Sequence, residues 1–261
     1  MAELRLLVCV KRVPAPGARI VLTADGQDVD TKNLGFTTSP HEECAVEEAI
    51  RLVEAHGGTV TVLTLGPGEA EEQLRYAMSL GADSAVLLTN DDMAAGSGWD
   101  PQATSRAVAR FISGLEEADG VFDLLLFGNE SADAGGFQVG VRVARALGRP
   151  MVNGIKGMEI ADGVVTARRE SNAGFEVYRL TLPAAFGVKE GINLPRYPTL
   201  RGRLKSKGAE IALVSATHEA GGLVTRGLRT PQEQVTETVV LGAGPEAAGA
   251  VVDLLEELGL A

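Results

Sequence analysis

Short apolar runs alternate with amphipathic helical patterns along the first 150 residues of the chain. Four runs have the length and continuous apolar character of strands covered on both faces: residues 4–10, 59–65, 84–88 and 123–127. Apolar residues recur at helical spacing after the capping residue Ser39 and over residues 69–80, 102–115 and 136–147. This alternation predicts an α/β fold, built on right-handed βαβ crossovers and a doubly wound parallel sheet.

The pattern changes after Pro150. Three strands are predicted, with tight turns between them, and a buried strand follows: residues 152–160, 164–169, 175–182 and 184–188. The first three form a β-meander added to the sheet. An exposed loop then leads into a short helix, a polar arm covers residues 217–244, and a terminal helix covers residues 246–258.

We therefore predict two parts of the chain. Residues 1–215 form an α/β nucleotide-binding domain, which includes the meander (about 151–182) and the exposed loop (about 191–207). Residues 216–261 form a C-terminal arm and helix. An arm of this length does not easily bury itself on its own domain, so we expect it to pack on a partner subunit.

Charge and cysteine content narrow the functional class. The net charge of −11 argues against sequence-independent nucleic-acid binding, which needs a basic face. Cys9 and Cys44 have no metal-ligand spacing, so we expect two reduced thiols and no metal site. No apolar run reaches the roughly 18 residues of a membrane span, and the N-terminus lacks signal-peptide features. We expect a cytoplasmic protein without direct membrane insertion.

The loop over residues 128–140 is the strongest candidate for a binding site. It joins a buried strand to a helix through small residues, and backbone N–H groups at such a helix start can hold a phosphate. A plain tight turn is the alternative. The charge of Asp133 would repel a nearby phosphate, so we expect that side chain to turn aside and residues 134–139 to supply main-chain contacts.

Motifs of side-chain catalysis are missing from the sequence. It contains no GxGxxG, no P-loop, no GxSxG and no HExxH. His41 opens a helix at a strand-end crevice, and it either touches a ligand or lies on the surface. The paired carboxylates Glu42/Glu43 and Glu47/Glu48 fit the solvated face of an amphipathic helix. A binding or carrier role is favoured, with no catalytic residue.

Several segments together resemble the β subunit of the electron-transfer flavoproteins, a family that includes FixA. The resemblance covers residues 1 to about 211 in the family's order, and its motifs lie at residues 10–14, 45–52, 66–67, 74–83, 128–140, 182–184 and 193–200. It implies a heterodimer with an α subunit that holds most of an FAD site. It also implies AMP in the β subunit, or a second FAD in bifurcating members.

The resemblance also implies which residues hold the nucleotide. Carried over position by position, they are Cys9, Ser39, Pro40, His41, Glu42, Leu65, Gly128, Asn129, Glu130, Ser131, Ala132, Asp133, Ala134, Gly135, Gly136, Phe137, Gln138 and Val139. The family's usual Asn-Pro-x-Asp reads Ser-Pro-His-Glu here. Its acidic Asp-Asp-Asp run reads Asp133-Ala134-Gly135, and these smaller residues leave room for a larger ligand.

The loop that contains Leu200 resembles the family's recognition loop, which anchors partner dehydrogenases. It implies docking by Arg196, Tyr197, Leu200 and Lys205, although a basic run of this kind also fits a solvated face. The implied function is electron transfer from flavoprotein dehydrogenases, such as acyl-CoA dehydrogenases, to a quinone oxidoreductase or another acceptor. A bifurcating or FixA-like subunit with a second FAD and a stand-alone adenine-nucleotide sensor are the alternatives.

Overall fold

The computed structural model describes residues 3–89, 99–219, 222–231 and 238–260. Within these residues the fold is organised around a nine-stranded sheet with the order β11-β5-β4-β1-β6-β10-β7-β8-β9. Its strands are β1 (Leu4–Cys9), β4 (Gly58–Leu65), β5 (Ser84–Thr89), β6 (Leu124–Gly128), β7 (Met151–Ala161), β8 (Val164–Ser171), β9 (Gly174–Thr181), β10 (Ala184–Val188) and β11 (Ala212–Ser215). The strands from β11 to β7 in this order pair in parallel, whereas β7, β8 and β9 form the predicted antiparallel meander.

Helices cover both faces of the sheet, as a doubly wound fold requires. They are α1 (Pro40–His56), α2 (Glu71–Leu80), α3 (Pro101–Asp119), α4 (Val139–Ala146) and α5 (Leu200–Gly208). Side chains alternate along each strand, so Leu6 and Val8 of β1 enter one apolar cluster with α1 and α2, while Leu7 enters a second cluster with α3 and α4. The predicted α/β fold is therefore confirmed.

Three details differ from the sequence prediction. Helix α4 begins at Val139 and not at residue 136, because Phe137 adopts a left-handed conformation (φ 54°) that a right-handed helix excludes. A two-stranded ribbon of β2 (Arg12–Pro14) and β3 (Phe36–Thr38) was not predicted. The same is true of the short edge strand β11, whose apolar residues are too few for a clear pattern.

The described chain divides into two compact units, residues 1–228 and residues 229–261. The arm predicted over residues 217–244 lies partly outside the described residues, and its described parts carry no helix or strand. Its stretch up to Leu228 belongs to the first unit, where Leu223 N donates to Asp100 Oδ2 (2.6 Å). The second unit contains α6 (Ala248–Glu257), a helix with no buried residue.

Candidate functional site

A cavity of about 340 Å³ opens at the carboxyl ends of β1, β4 and β6. From β1 the chain continues to β4, which lies toward one edge of the sheet. From β6 it continues to β7, which lies toward the other edge. The strand order therefore reverses at this point. Doubly wound sheets hold their ligands in the crevice at such a reversal, so the cavity lies where the fold places a binding site.

Most of the predicted nucleotide residues line this cavity. Those on its wall are Cys9, Glu42, Leu65, Gly128, Asn129, Glu130, Ser131, Ala134, Gly136, Phe137, Gln138 and Val139. The others belong to the same two loops but do not line the cavity: Ser39, Pro40, His41, Ala132, Asp133 and Gly135. The two loops thus converge on a single cavity, although they are separated by about ninety residues of chain.

Glycines allow the close approach of backbone at this wall. A Cβ added to Gly128 would lie 2.5 Å from Cγ of Glu42, and one added to Gly140 would lie 2.8 Å from Cε of Met151. Gly135 and Phe137 both have positive φ angles, 53° and 54°. For Phe137 this conformation is strained, and such strain is concentrated at ligand sites.

The start of α4 faces the cavity without a side-chain cap. Its N-cap residue, Gln138, makes no capping hydrogen bond, and its Oε1 accepts instead from Nη2 of Arg142 (3.0 Å). The first N–H groups of a helix have no intrahelical acceptor, and they carry the positive end of the helix dipole. Residues 138–141 all line the cavity, so their N–H groups are available to an anionic ligand.

An ion pair removes the charge that would oppose such a ligand. Asp133 is outside the cavity wall, and both of its carboxylate oxygens lie 2.7 Å from Nζ of Lys11. Burial alone would raise the pKa of Asp133, but the Lys11 ammonium and hydrogen bonds from Ser131 and Ala134 outweigh it and lower that pKa. The pair also ties the loop after β1 to the loop after β6.

Glu42 is a buried carboxyl group on the cavity wall. Its Oε2 accepts a hydrogen bond from the backbone N–H of Lys11 (2.7 Å). Burial raises its pKa to about 8, although this hydrogen bond and the Lys11 charge act in the opposite direction. The pKa of the Cys9 thiol is also raised, mainly by burial and to a smaller extent by the nearby Glu42. At neutral pH both groups are therefore mainly protonated, and neither repels an anion.

The Glu42 pKa predicts how stability depends on pH. The folded state binds this proton more tightly than the unfolded chain, so stability contributed by Glu42 is full below about pH 4.5 and is lost as pH rises through about 8. Glu42→Gln keeps the acceptor for Lys11 N–H and removes the titration. From pH 5 to pH 9, we expect the wild type to lose roughly 3 kcal/mol or more of unfolding free energy relative to the variant, measured by urea denaturation. Parallel stability curves would contradict this assignment.

Two polar atoms on the cavity wall have no hydrogen-bond partner among the described residues. They are Oγ1 of Thr64, whose residue is 2% exposed, and Nε1 of Trp99. Buried polar groups normally have a partner, so both atoms are candidates for contact with a ligand. Neither residue was predicted from the sequence. The available signals were a polar residue near the end of a buried strand and the Asp100-Pro101 helix start beside the chain's single tryptophan.

His41 and the carboxylates of α1 have structural contacts. Nδ1 of His41 accepts from the Glu190 backbone N–H (2.8 Å), and its Nε2 lies 3.4 Å from Oε1 of Glu130. The expectation of solvated carboxylates is wrong for Glu42, Glu47 and Glu48, which are buried. Partners from distant parts of the chain neutralise or hydrogen-bond them, which the pattern of α1 alone does not reveal.

The predicted docking residues lie on the loop before α5 and on α5 itself. Tyr197 and Leu200 are exposed, at 89% and 76% of their full surface. Lys205 is in the last turn of α5 and forms no ion pair within the described part of the chain. Arg196 differs from the other three because its guanidinium contacts Glu47 and Glu54 of α1.

In the described residues, no cluster of histidine, cysteine or acidic side chains could hold a metal ion. No described helix combines the length and the apolar character that crossing a membrane requires. The fold and the cavity thus define a doubly wound α/β protein with its binding crevice at the topological switch point.

Comparison with known proteins identifies the family. The family model for the electron transfer flavoprotein domain matches residues 29–219. The chain is 36% identical over 206 residues to the electron transfer flavoprotein subunit beta of Bacillus subtilis, which covers 78% of this chain and 76% of that protein. It is 29% identical over 257 residues to the corresponding subunit of Megasphaera elsdenii, covering 97% and 93%. It is 33% identical over 216 residues to protein FixA of Azorhizobium caulinodans, covering 82% and 75%.

The chain belongs to the electron transfer flavoprotein family, in the group formed by the β subunits and FixA. Membership in this family implies an electron-transfer role in a flavoprotein and an α subunit as partner.

Proposed function

We propose that this chain is the β subunit of a heterodimeric electron-transfer flavoprotein with a single flavin. It carries electrons from flavoprotein dehydrogenases, such as acyl-CoA dehydrogenases, to a quinone oxidoreductase or another acceptor. The observation that carries the proposal is the cavity at the switch point, in a chain whose relatives are electron transfer flavoprotein subunits. FAD is held mostly by the α subunit, at the interface with this chain.

The residues of the cavity fit AMP. The first N–H groups of α4 suit its phosphate, and the apolar wall of Val108, Phe127 and Met151 suits its adenine ring. Oγ1 of Thr64 and Nε1 of Trp99 are polar atoms without a hydrogen-bond partner, and AMP would offer them one. The ion pair of Lys11 with Asp133 and the protonated state of Glu42 reduce the negative charge against the phosphate, and Glu130 is the carboxylate that remains on the wall.

The cavity volume favours AMP over the alternative, a second FAD. Sites for small molecules usually measure about 300–1,000 Å³, and about 340 Å³ is near the lower end. A mononucleotide suits this volume better than a dinucleotide. A second FAD would support the bifurcating or FixA-like alternative, in which NADH is oxidised at this subunit.

The exposed apolar residues support a partner subunit and a docking site. Helix α6 has Val251, Val252, Leu254 and Leu255 exposed, and an apolar helix of this kind requires a covering surface. We assign that surface to the α subunit. A stand-alone nucleotide sensor would not need it. The loop with Tyr197 and Leu200 is assigned to docking of the dehydrogenase.

An electron-transfer assay tests this function. The chain is co-expressed with the α subunit of the same organism, and the heterodimer is mixed with a substrate-reduced acyl-CoA dehydrogenase. We expect the flavin absorbance of the heterodimer to bleach at a rate that saturates with dehydrogenase concentration. A heterodimer without flavin, or one that is not reduced, would overturn the proposal.

A further inference from the structure

The loop between β10 and α5 is fixed to α1 by one arginine. Nε and Nη2 of Arg196 donate to the two carboxylate oxygens of Glu47 (2.8 and 3.1 Å), and its backbone N also donates to Oε2 of Glu47 (3.1 Å). Nη1 and Nη2 donate to Glu54 (2.6 and 2.9 Å). Glu47 and Glu54 lie two turns apart on α1, so one guanidinium holds two carboxylates on the same helix face.

Asn193 provides a second attachment of the same loop. Its Nδ2 donates to Oε2 of Glu48 (2.8 Å) and to the backbone carbonyl of Cys44 (3.0 Å). Sγ of Cys44 is 3.8 Å from the carbonyl oxygen of Asn193. The loop backbone is thus fixed at residues 193 and 196.

The residues next to these attachments are apolar and point outward. Leu194 and Tyr197 are each 89% exposed, and Leu200 follows at the start of α5. Exposed apolar side chains on a mobile loop would lose conformational freedom when a partner binds. A loop that is already held in its bound form avoids much of that cost, because preorganisation reduces the entropy lost on association.

The charge of Arg196 is unsuited to direct docking. Two carboxylates already surround it, so the group of Arg196, Glu47 and Glu54 carries a net negative charge. Lys205, by contrast, has no ion pair among the described residues. The two cations that the sequence places together in one docking patch therefore have different surroundings.

We propose that Arg196 is a positioning residue: it locks the loop onto α1 and holds Leu194, Tyr197 and Leu200 ready for an apolar pocket on the electron-transfer partner. The inference rests on the docking role given to this loop under the proposed function. Arg196 then contributes through the order of the loop, whereas Lys205 contributes through long-range attraction to an acidic rim on the partner.

The test measures KM for the dehydrogenase in electron transfer over a series of salt concentrations, with the complete heterodimer. For Arg196→Gln we expect KM to rise about tenfold and to stay raised at high salt, where charge attraction is screened, with kcat unchanged. Arg196→Lys should recover part of the loss, because a lysine can pair with one carboxylate but not form the fork. Lys205→Gln should instead reduce the slope of log KM against log salt.

Glu54→Gln weakens the same attachment by removing the exposed carboxylate that Arg196 contacts. The buried Glu47 stays paired with Arg196. Glu54→Gln should raise KM in the same direction as Arg196→Gln, about threefold, with faster hydrogen exchange over residues 193–200. If KM of Arg196→Gln returned to the wild-type value at high salt, as KM of Lys205→Gln should, the positioning role would be overturned. An unchanged KM in both variants while Leu200→Ala raises KM would also overturn it. If Leu200→Ala itself has no effect, the docking role of the loop fails, and the two failures are thereby distinguished.

Discussion

Gly135→Glu is expected to lower retention of the adenine nucleotide by about 30-fold, which corresponds to about 2 kcal/mol of binding free energy. Gly135 has a φ of 53°, and this left-handed conformation costs other residues about 1–2 kcal/mol. A Cβ at this position would lie 3.7 Å from Oε2 of Glu130, so the new carboxylate would add repulsion in the loop that supplies the phosphate contacts. Nucleotide released from the denatured heterodimer measures the effect.

Gly163→Glu is the matched control for this variant. Gly163 also has a positive φ, 73°, and a Cβ there would meet no atom within 4 Å. It lies in the turn between β7 and β8, so it carries the same change of charge and backbone strain to a different part of the sheet. Equal nucleotide retention in the two variants would contradict the placement of the nucleotide at the loop after β6.

Leu200→Ala is expected to lower kcat/KM for electron transfer from the dehydrogenase by about 10- to 30-fold. Its side chain is exposed on this chain, so truncation removes no internal packing. Complete burial of the three lost carbons by a partner would be worth about 0.8 kcal/mol each, or roughly 60-fold in total, so burial of most of this surface yields a loss of about 10- to 30-fold. The helix start stays intact, because Thr199 Oγ1 accepts from Gly202 N (3.0 Å). Flavin and nucleotide contents should be unchanged.

Leu213→Ala provides the comparison. Leu213 is 67% exposed on the edge strand β11, outside the loop, and its change to alanine loses the same carbons. It should transfer electrons at the wild-type rate. Unchanged kinetics in Leu200→Ala, or equal losses in both variants, would remove Leu200 from the docking site.

The fold could be predicted because its central strands are short, continuous apolar runs. Strand β10 has the predicted bounds, Ala184–Val188, and all five of its residues are buried. The start of α4 was misplaced because the left-handed Phe137 is a local conformation that apolar periodicity does not report. Strands β2, β3 and β11 were missed because three or four residues carry too little pattern.

The candidate site could be predicted in part, where it is formed by the small and glycine-rich residues of the loop over residues 128–140. Thr64 and Trp99 were missed because tertiary packing brings them to the cavity and they have no motif of their own. The buried carboxylates of α1 were misjudged for a similar reason. Glu47 is paired with Arg196, which lies 149 residues away along the chain, and no pattern within the helix reports that contact.

The central claim is that this chain holds AMP beside a single flavin carried with its α subunit. The most direct test is to denature the purified heterodimer and to identify and count the nucleotides that it releases. We expect one FAD and one AMP per heterodimer, and loss of AMP but not FAD in Gly135→Glu. Two FAD molecules and no AMP would contradict the single-flavin claim and favour the bifurcating alternative. A single FAD with no AMP would contradict the assignment of AMP to the cavity.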